Sequence, residues 1–470
     1  MKNFNIRKGN FIKSQNSTSN MMYTVLIVLV PFIIFATFKN GIYPAIKGYG
    51  NLYTVFKPLI YIILPGIITM IVEYIYYILK KDKKSFYQLF GETYALLPGI
   101  FLGLIISINT PIYILIIGAI IASVSKIIFG GFGKNKLNPA LVGALFITVI
   151  FSSLTEGYLN PYETDVISSA TPLSNMTATS YLVTYDNLVK PYGSLLTLFF
   201  GNIPGAIGET SSFLCIVALI YLIYKKIIKW RIPISYILSV AVISLIICLT
   251  KDIGLWFILF NILSGGLLFG ATFMATDPVT SPISHRGQIL GGIFLGITTM
   301  AIRYLTKLPE GVLISILLFN VLTILINYLT IKLYGKDKIK TLLLVVTCII
   351  CILSSFVINK NIITKEPDNT YKILSKEKIG SNTIYQVSGR GYAGNNSIKL
   401  KITFTGRDVT NIEVLSNHET YMDMIYDNNY LDKIIDNQNN LDNLDTISGC
   451  TYTSKYIKEI VEKTKEYYIK

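Results

Sequence analysis

Histidine is nearly absent from this chain of 470 residues: only His285 and His418 occur, in unrelated stretches. Two separated imidazoles build neither a histidine-ligated metal centre nor a bis-histidine haem, which excludes a b-type cytochrome as the electron carrier. Cysteine is scarce too. Of the five, Cys215, Cys248, Cys348 and Cys351 fall in apolar runs and only Cys450 does not, so no disulfide framework holds the fold. Cys348 and Cys351 read as small packing residues on one face of an apolar helix. An iron–sulfur role needs four ligands and therefore partner proteins. Acidic residues number 27 against 42 Lys and Arg, and charged residues of both signs make up only 15% of the chain. No catalytic residue and no metal site is assigned.

Where charge is missing, apolar residues take its place: they are 52% of the chain, and mean hydropathy is +0.53. They are bunched into eleven windows, 21–38, 54–79, 93–109, 110–129, 137–153, 212–228, 232–249, 254–275, 287–305, 311–334 and 341–358. Each has roughly the 17–25 residues needed to cross a hydrocarbon core. The fold class this predicts is an α-helical polytopic membrane protein, about ten helices plus one anchor helix, with a C-terminal extracytoplasmic α+β domain. Its expected divisions are a cytoplasmic N-terminus (1–20), a membrane domain (21–334), a cytoplasmic turn with the anchor helix (335–358) and the exterior domain (359–470).

Orientation follows from charge. The first window follows Lys2, Arg7, Lys8 and Lys13 and lacks a small-residue cleavage site, so it reads as a retained helix with a cytoplasmic N-terminus. Lys80-Lys81-Asp82-Lys83-Lys84, Lys225-Lys226 and Lys336-Asp337-Lys338 then fall in alternate turns, on the same side as that N-terminus. Eleven crossings send everything after Ile358 outside. Residues 359–470 hold 15 basic and 15 acidic side chains, so the whole net charge of +15 lies in the membrane half. Topology explains it, and a nucleic-acid partner is not implied.

In the tail, Ile398, Leu400, Ile402 and Phe404 alternate with polar residues, Thr405-Gly406-Arg407-Asp408 turns the chain, and Val409 to Leu415 returns it, a hairpin pattern. The stretch 359–381 before it reads as strand-poor. Tyr456, Ile457, Ile460 and Val461 have helical spacing, with Ser448 or Thr451 placed to begin the helix. At that start lies a near-repeat. Asp165-Val-Ile-Ser168-Ser-Ala170-Thr171-Pro-Leu-Ser174 and Asp445-Thr-Ile-Ser448-Gly449-Cys450-Thr451-Tyr-Thr-Ser454 are identical at five of ten positions. The window count places both outside. A loop meeting a helix N-terminus has free N–H groups that suit an anion such as phosphate.

These residues resemble a known family. Asp445 to Thr451 is similar to the flavinylation motif of the FMN-binding domain in RnfG of the Rnf complex and NqrC of the sodium-pumping NADH:quinone reductase. Asp165 to Thr171, with Pro172-Leu173, resembles the corresponding site of RnfD and NqrB, the membrane components of the same two complexes. Gly130 to Asn135, Asn138 to Gly143, Gly205 to Thr210 and Phe273 to Thr280 resemble further stretches of RnfD, while Gly389 to Gly394 and Ser416 to Thr420 resemble RnfG. The chain therefore looks like a fusion of an RnfD-like and an RnfG-like polypeptide.

The resemblance implies FMN esterified through its phosphate to Thr171 and Thr451, two covalent sites, with riboflavin a further candidate cofactor. Ser168 and Ala170, and Ser448 and Gly449, would be cofactor-site positions beside those threonines, while Asp165 and Asp445 would be recognition or metal-proximal residues for a separate flavin transferase, or ordinary surface-turn carboxylates. His418, Glu419 and Thr420 would lie near the isoalloxazine ring. Gly205, Gly208, Glu209 and Asp277 match signature positions whose role is flavin contact, helix capping or ion passage. Glu73 is an intramembrane carboxylate or an interface residue close to Lys80. Two departures from the pattern stand out: Cys450 replaces alanine, and Tyr421-Met422-Asp423-Met424 replaces Pro-Gly-Leu-Gly.

The function implied is that of a membrane electron-transfer component in a complex coupling ferredoxin and NAD to Na⁺ or H⁺ translocation, with other Rnf-type subunits holding the NAD and ferredoxin sites. The alternatives are a membrane flavoprotein that passes electrons to an extracytoplasmic acceptor or quinone without pumping, and a secondary transporter with an exterior sensory domain.

Overall fold

The structure is a computed structural model that describes residues 17–48, 51–81, 85, 91–155, 157–158, 170–179, 181–306, 308, 310–332, 337–364, 371–391, 394–417, 419, 422–438, 441, 444–447 and 450–469. Each of the eleven apolar windows contains helix, but of unequal length. Thr18–Ile46, Leu52–Leu79, Arg231–Lys251, His285–Leu305, Val312–Thr330 and Thr341–Asn359 are each long and apolar enough to cross a membrane. Leu96–Ile105, Ile112–Ile128, Pro139–Ile150 and Ser212–Tyr224 are shorter, about 15–25 Å at 1.5 Å per residue. Where the first of these stops, irregular backbone continues and is satisfied by protein. Gly208 N–H donates to Leu104 O at 2.8 Å and Ile207 N–H to Ile106 O at 3.1 Å, the condition under which non-helical backbone is tolerated beside lipid. The chain is a multi-pass membrane protein.

Lipid offers no hydrophobic drive for helices to associate, so close approach does the work. A Cβ on Gly99 would sit 2.4 Å from the Cα of Gly66, and one on Gly143 would sit 2.6 Å from Gly118 O. Glu73 is buried and paired with Lys126 at 2.7 Å, tying Leu52–Leu79 to Ile112–Ile128. Lys126 also donates to Thr93 O at 2.7 Å.

The remaining window is a broken helix. Trp256–Leu263 and Leu267–Met274 meet at 61° across Ser264-Gly265-Gly266, where Gly265 has φ +66°. A break leaves carbonyls without helical partners, and the fully buried Arg303 takes two of them, Asn261 O at 2.7 Å and Ser264 O at 2.9 Å. Guanidinium suits this place, because its donors form a rigid fork and its charge faces the negative end of a helix.

After the last span, four antiparallel strands follow in the order β1 (Tyr371–Ile379), β2 (Asn382–Gly391), β3 (Gly394–Thr405) and β4 (Asp408–Asn417). The β3–β4 hairpin turns where expected, with Thr405 paired to Asp408, and Ile398, Leu400, Ile402 and Phe404 are all buried. The stretch read as strand-poor contains β1. Its Lys372, Lys376, Glu377 and Lys378 hide the alternation, and such charges suit an edge strand. The helix Thr451–Ile469 covers the sheet through Ile457, Ile460 and Val461, which join Tyr385, Leu400 and Phe404 in one core.

The segment between the last span and the sheet is docked on the helical part. Ile363 forms a parallel bridge with Leu182: its N–H donates to Tyr181 O at 3.0 Å and its carbonyl accepts from Val183 N–H at 2.7 Å. Ile358 and Ile362 are buried in the core of the helical part.

Candidate functional site

Thr171 caps a helix. Its backbone is extended (φ −69°, ψ 160°), Pro172 opens the helix Pro172–Ala178, and its Oγ1 accepts from Ser174 N–H at 3.1 Å and lies 2.7 Å from Ser174 Oγ. This is the ordinary chemistry of a threonine N-cap, and it leaves the side chain 4% exposed. The carbonyl of Ala170 accepts from Tyr192 OH at 2.9 Å, which fixes the turn. Asp165 and Ser168 lie outside the described residues.

This turn rests on the broken helix. A Cβ on Gly265 would meet Leu173 Cδ1 at 2.7 Å and Arg303 Nη2 at 3.3 Å, and one on Gly266 would meet Glu209 Oε2 at 2.4 Å. The structure thus gathers Leu173, the break, Arg303 and Glu209 in one place. Gly205 and Gly208 sit on the same loop as Glu209, but what they approach is protein: Thr210 Cγ2 and Leu104 Cδ2. Lys39, buried in the π-helical turn Phe38–Ile42, donates to Thr210 Oγ1 at 2.8 Å. Neither Arg303 nor Lys39 stood out in the sequence. A single basic residue inside an apolar helix is the only signal that could have found them.

Asp277 is elsewhere. Its carboxylate accepts from Val279 N–H at 3.1 Å and Thr280 Oγ1 at 3.4 Å, closing the Thr-Asp-Pro turn. That turn borders a cavity with Phe101, Lys126, Phe132, Asn135 and Asn138 among its walls. Three stretches singled out separately, 130–135, 138–143 and 273–280, converge there. The helix His285–Leu305 runs between the two regions, from just after this turn to Arg303, about 30 Å at 1.5 Å per residue. The cavity and Thr171 therefore lie at opposite ends of the helical part.

Thr451 is the first residue of the helix Thr451–Ile469. Beside it Cys450 is buried, its N–H donating to Ile447 O at 3.0 Å. Burial pushes the Cys450 thiol up from its ordinary range, and the nearby Glu419 carboxylate adds to this against an opposing hydrogen bond from Thr453. Glu419 is itself buried and accepts from Thr453 Oγ1 at 2.7 Å. A Cβ on Gly391 would meet Glu419 Oε1 at 2.2 Å and Ser397 Oγ at 2.5 Å. Asp445 is exposed. His418, Thr420, Ser448 and Gly449 lie outside the described residues. Met422 is buried in the core of the sheet domain and Met424 is exposed.

The two modules meet through Arg390 of β2, which donates from Nη2 to Thr179 O and stands 5.5 Å from the ring centre of Tyr456. Its Nε is buried without a hydrogen-bond partner among the described residues, a donor left over for an anion.

The model of the NQR2, RnfD, RnfE family matches residues 5–335. The chain belongs to that family. A second model, an FMN-binding domain, matches residues 391–466, so this family member carries a flavin-binding module behind its membrane part. Among relatives, the D component of the proton-translocating ferredoxin:NAD(+) oxidoreductase complex of Clostridium ljungdahlii is 33% identical over 70% of this chain and 94% of its own length. The D component of the Na(+)-translocating complex of Acetobacterium woodii is 32% identical over 72% and 97%. That of an ion-translocating oxidoreductase complex of Salmonella paratyphi A is 27% identical over 71% and 99%.

Proposed function

We propose that this chain is the membrane electron-transfer component of an Rnf-type ion-translocating ferredoxin:NAD oxidoreductase and carries FMN covalently on Thr171 and Thr451. The observation that carries this reading is that each copy of the near-repeat has, at its seventh position, a threonine that begins a helix, one before Pro172–Ala178 in the family-matched membrane part and one at Thr451–Ile469 in the FMN-binding part. When bound, FMN supplies one- and two-electron chemistry, and attachment through the phosphate leaves its ring free.

The chain's own task is placement. An ester oxygen at Thr171 retains a lone pair for Ser174 N–H, so the cap survives modification. Because the hydroxyl is buried in that cap, the transferase must reach it before the Ala170–Ser174 turn closes. At Thr451 the phosphate would stand at the start of a 19-residue helix, whose free N–H groups and dipole favour it. Arg390 Nε is a nearby donor to spare. Asp165 and Asp445 belong to the transferase's recognition, Ser168, Ala170, Ser448 and Gly449 to the cofactor sites, and His418, Glu419 and Thr420 to the ring's surroundings. The cavity bordered by Asp277 suits a third, non-covalent flavin such as riboflavin, with aromatic walls for a ring and Lys126, Asn135 and Asn138 for its polar edge. The divisions at 20, 334 and 358, a cytoplasmic N-terminus and an extracytoplasmic FMN module complete the reading. Partner proteins of the complex supply the NAD and ferredoxin sites and the Na⁺ or H⁺ path.

The test is intact-mass measurement of the full chain expressed with a flavin transferase. Two FMN adducts are expected, one lost in Thr171→Ala and the other in Thr451→Ala. Adducts that persist in both variants, or none in the wild type, would sink the assignment.

A further inference from the structure

Arg390 is an expensive residue to place where it is. It is 3% exposed, and among the described residues its one hydrogen bond goes to a backbone carbonyl while its Nε has no partner. A buried guanidinium so thinly satisfied costs stability, and an apolar side chain would fill the space with no such loss. What the arginine supplies is direction, because its planar fork fixes the angle as well as the distance of its contact.

The residues it joins matter. Thr179 closes the helix that Thr171 begins, and Tyr456 lies on the helix that Thr451 begins. At 1.5 Å per residue, Pro172–Ala178 is about 10 Å long and Thr451 to Tyr456 spans about 7–8 Å. Both threonines thus stand one short helix away from the same guanidinium. A second clamp lies close by in sequence on the membrane side, where Ile363 pairs with Tyr181 and Val183.

We infer that Arg390 is a positioning residue that locks the FMN module onto the membrane module, holding the two acceptor threonines in one fixed arrangement instead of leaving the module to swing on its anchor helix. The inference rests on the proposed function only for what the arrangement is for. The docking itself involves no flavin.

The test uses the full chain in lipid nanodiscs, expressed without a transferase, with nitroxides on Lys190→Cys and Lys463→Cys in a Cys348→Ser background. Both labelled positions are exposed, one on each module. Dipolar electron resonance is expected to give one narrow distance, and Arg390→Ala is expected to lose it to a broad distribution while amide protection in β3 is kept. If Arg390→Ala also loses that protection, Arg390→Lys decides: it keeps the charge and stem but not the planar fork, and broadening with β3 protection kept supports the inference. A broad distribution in the parent chain, or a narrow one retained in both variants, overturns the inference. Because no covalent flavin is present, a failed flavinylation test and a failed docking test cannot be confused.

Discussion

Cys450 stands beside Thr451, the proposed acceptor, where the related pattern has alanine. The sequence raises the question of a reactive thiol at a flavin site, and the structure answers it through burial. The neutral form is favoured in the folded chain, so the thiol gives up its proton at higher pH than it does unfolded, where the value is about 8.5. Any stability tied to this group is complete below that value and is lost as pH rises through it toward the folded one. Reactivity follows the thiolate. Peptide-mapped alkylation of native chain is therefore expected to modify Cys450 far more slowly than denatured chain between about pH 7 and 9, and Cys450→Ala should take up FMN like the parent. Rapid native alkylation would show that the thiol is not enclosed. At this scale the helix start expected at Ser448 or Thr451 was legible, because hydroxyl residues before an apolar run of helical spacing mark it. It was silent on Arg303 and Arg390, because a lone arginine carries no periodicity and its partners are backbone carbonyls far away in the chain.

At the scale of elements, the eleven apolar windows each found a helix because hydropathy over a span is a strong signal. Their inequality was not visible. The window 254–275 reads as one uninterrupted span, and Ser264-Gly265-Gly266 looks like small residues in a membrane helix, where glycine is common. The break becomes explicable only with Arg303, a whole helix away in sequence, seated on its free carbonyls. Replacing Arg303 by Met should strand Asn261 O and Ser264 O, at roughly 1–3 kcal/mol for each unsatisfied group. The expected result is a lowered unfolding temperature in detergent, with Arg303→Lys intermediate because an ammonium cannot present the fork. A Met variant as stable as the parent would mean that the break holds without its cap. In the tail, β1 escaped notice for a similar reason: an edge strand with charge along it has too little alternation to read.

For the whole molecule, the contact between modules constrains orientation in a way that counting spans cannot. Arg390 touches Thr179 and Ile363 pairs with Leu182, so the sheet domain and the loop that holds Thr171 face one compartment whichever way the chain is inserted. The cavity beside Asp277 faces the other end. The proposed direction, with the cavity end cytoplasmic, rests on the positive-inside bias, since Lys225 and Lys226 follow the helix Ser212–Tyr224 at the cavity end. A membrane-impermeant maleimide should label Ser381→Cys in intact cells and Lys226→Cys only after permeabilisation, both in a Cys348→Ser background and both at exposed positions. The reverse pattern would put both threonines in the cytoplasm and require a transferase there. Labelling of both in intact cells would put both positions on the outer side, and the assignment of spans would have to be redrawn from the shorter helices outward.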